Sequence, residues 1–435
     1  MKTTKFFVFM ICFVLFAAGY TVYAQYDAAW DIAIKDRVAG KSDYIAIQDV
    51  YEYLPPPATP TSVAIIIGAV YADNYWVNIK MDYSLLSAAL QKAIGWGRDD
   101  CDKAAQMAFS SWYGILLRKS FDDAGKIPNT SPSVCNSPEI VCNADAPLTI
   151  SLLLRRWNEY FWNYGNVGKN YVYVRGASYN FIGNIEKAKA QAYYSEAGFN
   201  IPPQSWQILY TLTRQTSLPM QGMQEGPLKA GDRAVSNDAF IFEPPSATKH
   251  YCLIGVVSTE FFENNPSKIN PGGNWNTAVW LSYDGAAAWH NIGVTNDTES
   301  GLKFYNQDNR PEMFAFEAHC SNLPPGTEVS LSCRDPKVLM DIKPLRVTAK
   351  YHVVSTEVEV PANFTGDLIV RIKNPQGKYL PANASVEVRM MWLLTHGHQH
   401  YIQAANMLGA HDAAKEFREL RVPMGNFTFV GKSSR

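Results

Sequence analysis

The sequence predicts an exported, mainly β protein: two or more β-sandwich domains, with a helical hairpin inserted near the front and a helix near the C-terminus. Three observations carry this prediction. Short segments rich in Val, Ile, Tyr and Trp recur between clusters of Gly, Pro and Asn, which is the spacing of strands and turns. Aromatic residues make up 13% of the chain against 18% charged, a balance suited to half-buried pleated surfaces. The first residues carry the parts of a secretory signal.

Lys2 and Lys5 form a short positive region before the apolar run Phe6–Ala18. Val22-Tyr23-Ala24-Gln25 then offers a cleavage pattern with the cut after Ala24, so residues 1–24 read as a signal peptide. The run is too short for a comfortable membrane span, and Cys12 lacks the small residues of a lipoprotein anchor. The longest later apolar segment, Ser62–Ala72, is about half the roughly 18–20 residues a spanning helix needs. Its β-branched residues make it a buried strand in this reading. No integral membrane segment is therefore expected after cleavage, and the protein is placed in the periplasm, at the cell surface or outside the cell.

About 410 residues remain, enough for two or three domains. The formal net charge of −1 excludes the basic footprint of a nucleic-acid binder. Cysteine usage agrees with export. Beyond Cys12 the chain holds six, and an even number in an oxidising compartment favours disulfides. The preferred pairs are Cys135–Cys142, Cys320–Cys333 and Cys101–Cys252, among 15 connectivities. The second would close a loop of about 14 residues, contributing roughly 3 kcal/mol. No CxxC spacing supports a metal-binding alternative.

Residues 25–130 read as strands followed by a helical hairpin. Trp30–Lys35 alternates, Tyr44–Val50 is strand-like, Leu54-Pro55-Pro56-Pro57 is a rigid turn, and strand character returns at Ser62–Val70 and Tyr75–Met81. Tyr83–Gly95 and Asp99–Phe121 carry apolar residues at helical spacing, with Asp99 and Asp100 suited to a helix start. Gly125–Pro147 reads as a loop stapled by two cysteines.

Residues 131–300 read as β again. Tyr171–Arg175, Ala190–Tyr194, Asp238–Phe242 and His250–Val257 are strands; Asn264–Asn276 is a long polar loop, and Thr277–Leu281 and His290–Val294 follow. The succession of Ser137–Ile140, Gly168–Arg175, Ala192-Tyr193-Tyr194 and Pro202 or Pro203 before Trp206 carries a resemblance. A Pro-Pro then precedes His250–Ile254, and His290–Val294 closes the unit. This succession resembles the immunoglobulin-like, CARDB-like β-sandwich modules of bacterial secreted and surface proteins, over about residues 137–297. The resemblance implies fold and location; it implies no activity.

Residues 310–435 read as a second β-sandwich with a C-terminal helix. Glu328–Ser332, Leu345–Tyr351, Val353–Val360, Asp367–Ile372 and Ser385–Leu394 alternate between turns; Tyr401–Leu420 reads as helix and Phe427–Val430 as a closing strand.

The common catalytic signatures GxSxG, HExxH, the Walker loop and the EF-hand are absent. Asp99-Asp100 and Asp122-Asp123 are adjacent, so each pair points apart on a helix. His396-Gly397-His398-Gln399-His400 places three of eight histidines within five residues. If extended, their imidazoles share one face about 7 Å apart, a set suited to Zn, Ni or Cu, with His411 as a fourth ligand. A polar turn with exposed histidines is the alternative. His250 and Cys252 share a strand face, but a half-cystine accounts for Cys252 better than a nucleophile does. Trp275, Trp280 and Trp289 are either a platform for stacking a glycan or peptide, or core filling.

These readings imply a non-enzymatic exported protein that binds, adheres or scaffolds, with a protein or glycan surface as partner and no cofactor. Two alternatives stand beside it: a metal-dependent enzyme or hydrolase with its site near His396, His398 and His400, and a secreted toxin or effector component.

Overall fold

The computed structural model describes residues 26–431 except 55, 78, 132, 145, 160, 162–167, 180, 247–248, 270–274, 293–298, 378–379, 382 and 409–417. The expected signal peptide lies outside the described residues, as does His411. The chain is mainly β, with 36% strand against 24% helix.

The front of the chain is helical where strands were expected. Helices α1 (26–38), α2 (Asp43–Tyr53), α3 (Pro60–Val70) and α4 (Ala72–Tyr75) occupy nearly all the ground assigned to strands. Among the described residues the only strands there are the short ribbon β1 (Trp76–Val77) and β2 (Lys80–Met81). The physical reason is clearest in α3, whose residues from Ser62 to Val70 are buried except Ile65. A helix buried all round has no polar stripe, so its apolar run looks like that of a buried strand. Its start signal is local. Thr59 Oγ1 accepts the Ser62 N–H at 3.3 Å, Ser62 Oγ accepts the Thr59 N–H at 3.2 Å, and Pro60 opens the helix.

The expected hairpin is present as α5 (Tyr83–Ile94) and α6 (Arg98–Ala108), with Asp82 capping α5 and Gly95 closing it at φ 81°. Helix α6 ends well before Phe121, because residues 114–116 form strand β3 (Gly114–Leu116) and pair with a long strand of the central sheet.

That sheet is antiparallel and ten-stranded. It contains β3, β4 (Ile140–Asn143), β5 (Asn170–Tyr179), β6 (Lys189–Glu196), β7 (Gln207–Ile208), β8 (Leu218–Gln221), β9 (Arg233–Ser236), β10 (Phe240–Phe242), β11 (Tyr251–Ser258) and β12 (Ala287–Ile292). Its main path runs β10-β5-β9-β8-β6-β11-β12. The sheet folds back so that β11 meets β4 and β5: a Cβ on Gly255 would come 2.5 Å from Ile140 Cδ1 and 2.9 Å from Val174 Cγ2. Two helices interrupt the strands, α7 (Ile150–Arg155) and α8 (Thr277–Tyr283). Helix α8 stands where the strand series had placed Thr277–Leu281; Asn276 caps it by accepting the Val279 N–H at 2.9 Å.

The rest of the chain builds two four-stranded antiparallel sheets. One is ordered β13 (Glu299–Tyr305), β18 (Thr365–Lys373), β15 (Glu328–Cys333), β16 (Leu345–Arg346). The other is ordered β17 (Tyr351–Val360), β14 (Glu312–Ser321), β19 (Ser385–Thr395), β20 (Glu419–Val430). Inward rows such as Phe314, Phe316 and Cys320 on β14 and Leu368 and Val370 on β18 share one core. Helix α9 (Tyr401–Met407) is shorter than expected, since Glu419 and Leu420 already belong to β20.

Two large cores organise these elements. Helices α1–α6 pack on one face of the folded sheet, while its other face joins α8, α9 and the two C-terminal sheets in the second core. Strand β11 divides its side chains between them, Leu253 into the first and Ile254 into the second.

All six cysteines of the described chain are free thiols, so the three expected pairs are not formed. The cores explain why. Cys101 and Cys142 lie in the helical core, whereas their expected partners Cys252 and Cys135 lie in the other. Cys320 is the last residue but one of β14, and the chain then arches into β15, which carries Cys333 five residues along, at its end. At about 3.3 Å per residue this sets the two sulfurs far beyond disulfide reach.

Candidate functional site

After β19 the chain turns at Gly397, whose φ of 95° breaks the extended geometry that would align three imidazoles. His398 Nε2 lies 3.0 Å from Glu312 Oε1, while Glu312 Oε2 accepts the Trp392 Nε1–H at 2.9 Å. His398 Nδ1 accepts the His400 N–H at 3.2 Å, so this network assigns the proton to Nε2. His400 Nε2 pairs instead with Asp308 Oδ2 at 2.8 Å, and His396 packs on the Tyr401 ring. Each imidazole thus holds a different partner, and together they fasten the turn to the start of β14. Among the described residues no three His, Cys, Asp or Glu side chains are grouped to hold a metal.

The three tryptophans read as either a stacking platform or core filling are buried. Trp275, Trp280 and Trp289 are at most 3% exposed and surround Trp206, with ring centroids 5.9, 5.5 and 5.5 Å from it. Helix α8 turns Trp280 inward and β12 turns Trp289 to the same core. Their indoles fill the junction between the ten-stranded sheet and the C-terminal sheets, leaving no ring face for a sugar.

Cys252 is also interior, and burial pushes its thiol up to about 12, which removes it as a nucleophile. Register places Asn291 opposite Cys252, and the Asn136–His290 bridge sets residue 135 beside Asn291 on the other side. Two strand spacings of about 4.8 Å keep Cys135 and Cys252 too far apart to join.

The same junction forms a cleft of about 250 Å³. Its floor is the outer face of β19 and β20, through Arg389, Met391 and Pro423; its roof is Val279 and Ser282 of α8 and the loop before β4. A bulge between Met390 and Met391 lets Pro423 sit in β20 without breaking the ladder. Polar groups line one side. Arg389 Nη2 donates to Glu387 Oε2 at 2.6 Å, Asn426 Nδ2 to Glu387 Oε1 at 3.0 Å and to Ser133 Oγ at 3.1 Å. Cys135 N–H donates to Asn426 Oδ1 at 3.2 Å and Asn291 Nδ2 to the Asn426 carbonyl at 3.0 Å. Arg389 Nε is buried and has no partner among the described residues. A ligand acceptor would satisfy it.

Sequence reasoning missed this cleft because its parts are drawn from residues near 130, 280, 390 and 425, and no one segment bears a motif. It also missed a buried ionic cluster beneath α7. Glu139, fully buried, accepts from Arg118 Nε at 2.5 Å and lies 3.4 Å from Arg175 Nε. The Trp157 ring lies 4.4 Å from the Arg118 guanidinium and 5.3 Å from that of Arg175. Burial pushes the Glu139 carboxyl up and the Arg175 guanidinium down, each opposed by the other's charge. Nearby, Lys119 Nζ donates to the Leu117, Asp284 and Ala287 carbonyls at 3.0, 2.8 and 2.5 Å. The Asp284 carboxylate accepts from Asn264 Nδ2 and from the Ala286 N–H.

No family model matches the chain, and no curated protein matches it. Two solved structures show weak likeness. One is the C-terminal globular domain of an oligosaccharyltransferase from Pyrococcus abyssi, 10% identical over 61% of this chain and 43% of that one, TM-score 0.12. The other is an Arthrobacter globiformis T6 isomalto-dextranase complexed with panose, 8% identical over 74% of this chain and 46% of that one, TM-score 0.15. The chain spans less than half of either, and at these TM-scores neither carries an argument about fold or function.

Proposed function

We propose that the protein is a non-enzymatic exported binding protein, whose C-terminal sheets form a β-sandwich module and whose ligand seats in the cleft between α8 and β19–β20. The observation that carries this reading is Arg389 Nε, a buried donor without a partner in a mainly apolar pocket. Because Glu387 already neutralises the Arg389 charge, the chemistry fits an uncharged amphipathic ligand. Its apolar body packs on Val279, Met391 and Pro423, and a carbonyl or hydroxyl oxygen accepts from Nε. The N-terminal signal pattern supports export, and the two facing C-terminal sheets support the module.

The test is titration with Nile red, a neutral apolar dye bearing a carbonyl. Saturable fluorescence enhancement is expected from the wild type. A Val279→Trp variant, filled but folded by circular dichroism, is expected to bind at least tenfold more weakly, about 1.4 kcal/mol. Equal binding by the two proteins would sink the cleft as the site.

A further inference from the structure

Sheet edges expose unpaired backbone groups, and most edges of this protein are covered. The edge of β10 is met by Tyr210, whose carbonyl accepts the Ile241 N–H at 2.7 Å, and that of β12 by the Ser137 N–H on Trp289 O at 2.9 Å. Strand β13 exchanges bonds with Ala197 and Phe199, and the Asn200 N–H reaches Met424 O on β20 at 3.1 Å. Strand β16 is two residues long.

Strand β17 is different. It runs ten residues without a bulge in full register with β14, and its sheet ends there. Among the described residues, no backbone group outside that sheet bonds to residues 353–359. The strand carries no proline and no lysine, the residues that most often protect such an edge. Its side chains alternate cleanly. Val354, Val358 and Val360 are buried, whereas Tyr351, Val353, Ser355, Glu357 and Glu359 face out.

We infer that the free edge of β17 is a docking site for an extended, basic segment of a partner protein, added as a fifth strand by β-augmentation. The outer row fixes the partner's chemistry. Tyr351 and Val353, 58% and 39% exposed, form an apolar half. Glu357 and Glu359 form an acidic half, backed by Glu317 on β14. Arg421 pairs with Glu317 and Glu357, leaving Glu359 without an ion pair among the described residues. Arg421 also pairs with Glu419 at 3.4 Å and His319 Nε2 lies 2.8 Å from Glu317, so four carboxylates stand against one guanidinium and one imidazole. An antiparallel strand that matches this row carries Lys or Arg at alternate positions near its start and β-branched apolar residues near its end. This site lies on the opposite edge of the sheet from the cleft and does not depend on it.

The test uses a fluorescent nonapeptide, Lys-Thr-Lys-Thr-Thr-Thr-Val-Thr-Val, read by anisotropy together with amide hydrogen exchange over residues 351–360. Two analogues are N-methylated, one at the odd positions and one at the even. In a strand, alternate N–H groups point to opposite edges. Augmentation therefore predicts that one analogue fails and the other binds, with exchange at β17 slowed on binding. A Glu357→Lys/Glu359→Lys variant, altered only at exposed positions, is expected to bind about tenfold more weakly, as is the wild type in high salt. Equal binding of the two analogues, failure of all three peptides, or indifference to the charge reversal would overturn the proposal. So would β17 protection in the peptide-free protein that grows with concentration, since the occupant would then be a second copy of this chain.

Discussion

Replacing Glu139 by Gln tests the buried ionic cluster most directly. Glu139 and Arg175 are both fully buried, and the carboxylate also holds Arg118, whose side chain is 11% exposed. Removing one partner of such a pair typically costs about 3–5 kcal/mol, because a charge is left uncompensated in the interior. Here the lower end applies. Arg175 keeps its Nη donors on the Leu153, Arg156 and Pro138 carbonyls at 3.1, 2.9 and 2.5 Å, and its guanidinium keeps the faces of Trp157 and Phe161. We expect Glu139→Gln to lower stability by about 3 kcal/mol in urea unfolding monitored by tryptophan fluorescence. Arg175→Met alone should cost a comparable amount. The double variant should cost at least about 1.5 kcal/mol less than the sum, because neither charge then remains to be compensated. A loss under about 1 kcal/mol for Glu139→Gln, or strict additivity in the double variant, would refute the reasoning.

Two further outcomes follow from burial. Burial raises the Asp284 carboxyl from its ordinary 3.8 to about 6, against the opposing Lys119 charge and the hydrogen bond from Asn264. A raised folded-state value means that the native protein binds the proton more tightly. The associated stability is therefore full below about pH 4 and lost as pH rises through 6, by up to about 3 kcal/mol. Asp284→Asn cannot ionise, so its urea stability relative to wild type should rise by that order between pH 4 and pH 7; parallel pH profiles would contradict the assignment. For the cysteines, a thiol-reactive chromophore should leave the buried five silent in native protein and find six thiols beyond residue 100 after guanidinium unfolding. Finding none would mean that disulfides form after all.

Much of the strand layout was legible because alternation is a local property. Asp367–Ile372 and Ser385–Leu394 declare pleated segments through residues two apart, Tyr171–Arg175 and His250–Val257 through unbroken β-branched and aromatic runs. Each lies in a strand except for His250, which immediately precedes β11. The helical hairpin was legible for the same reason at a period of 3.6. The front helices were not. Once a helix is enclosed on every side, solvent no longer imposes a period on its sequence, and only the cap at Thr59–Ser62 distinguishes Ser62–Val70 from a strand.

The candidate sites were far less legible. The residues of the cleft are separated by up to about 300 positions in the chain, and register between β19 and β20 together with the placement of α8 brings them together. The histidines and tryptophans were conspicuous because they cluster in sequence. A positive φ at Gly397 splayed the first set, and the shared core consumed the second. By itself the sequence determined the mainly β character, most strand positions and the central hairpin, since these follow from the period of side chains along a few residues. Tertiary structure alone decided which faces are covered, which thiols lie near one another and which edge stays open. Those outcomes depend on distances between segments that no local period encodes.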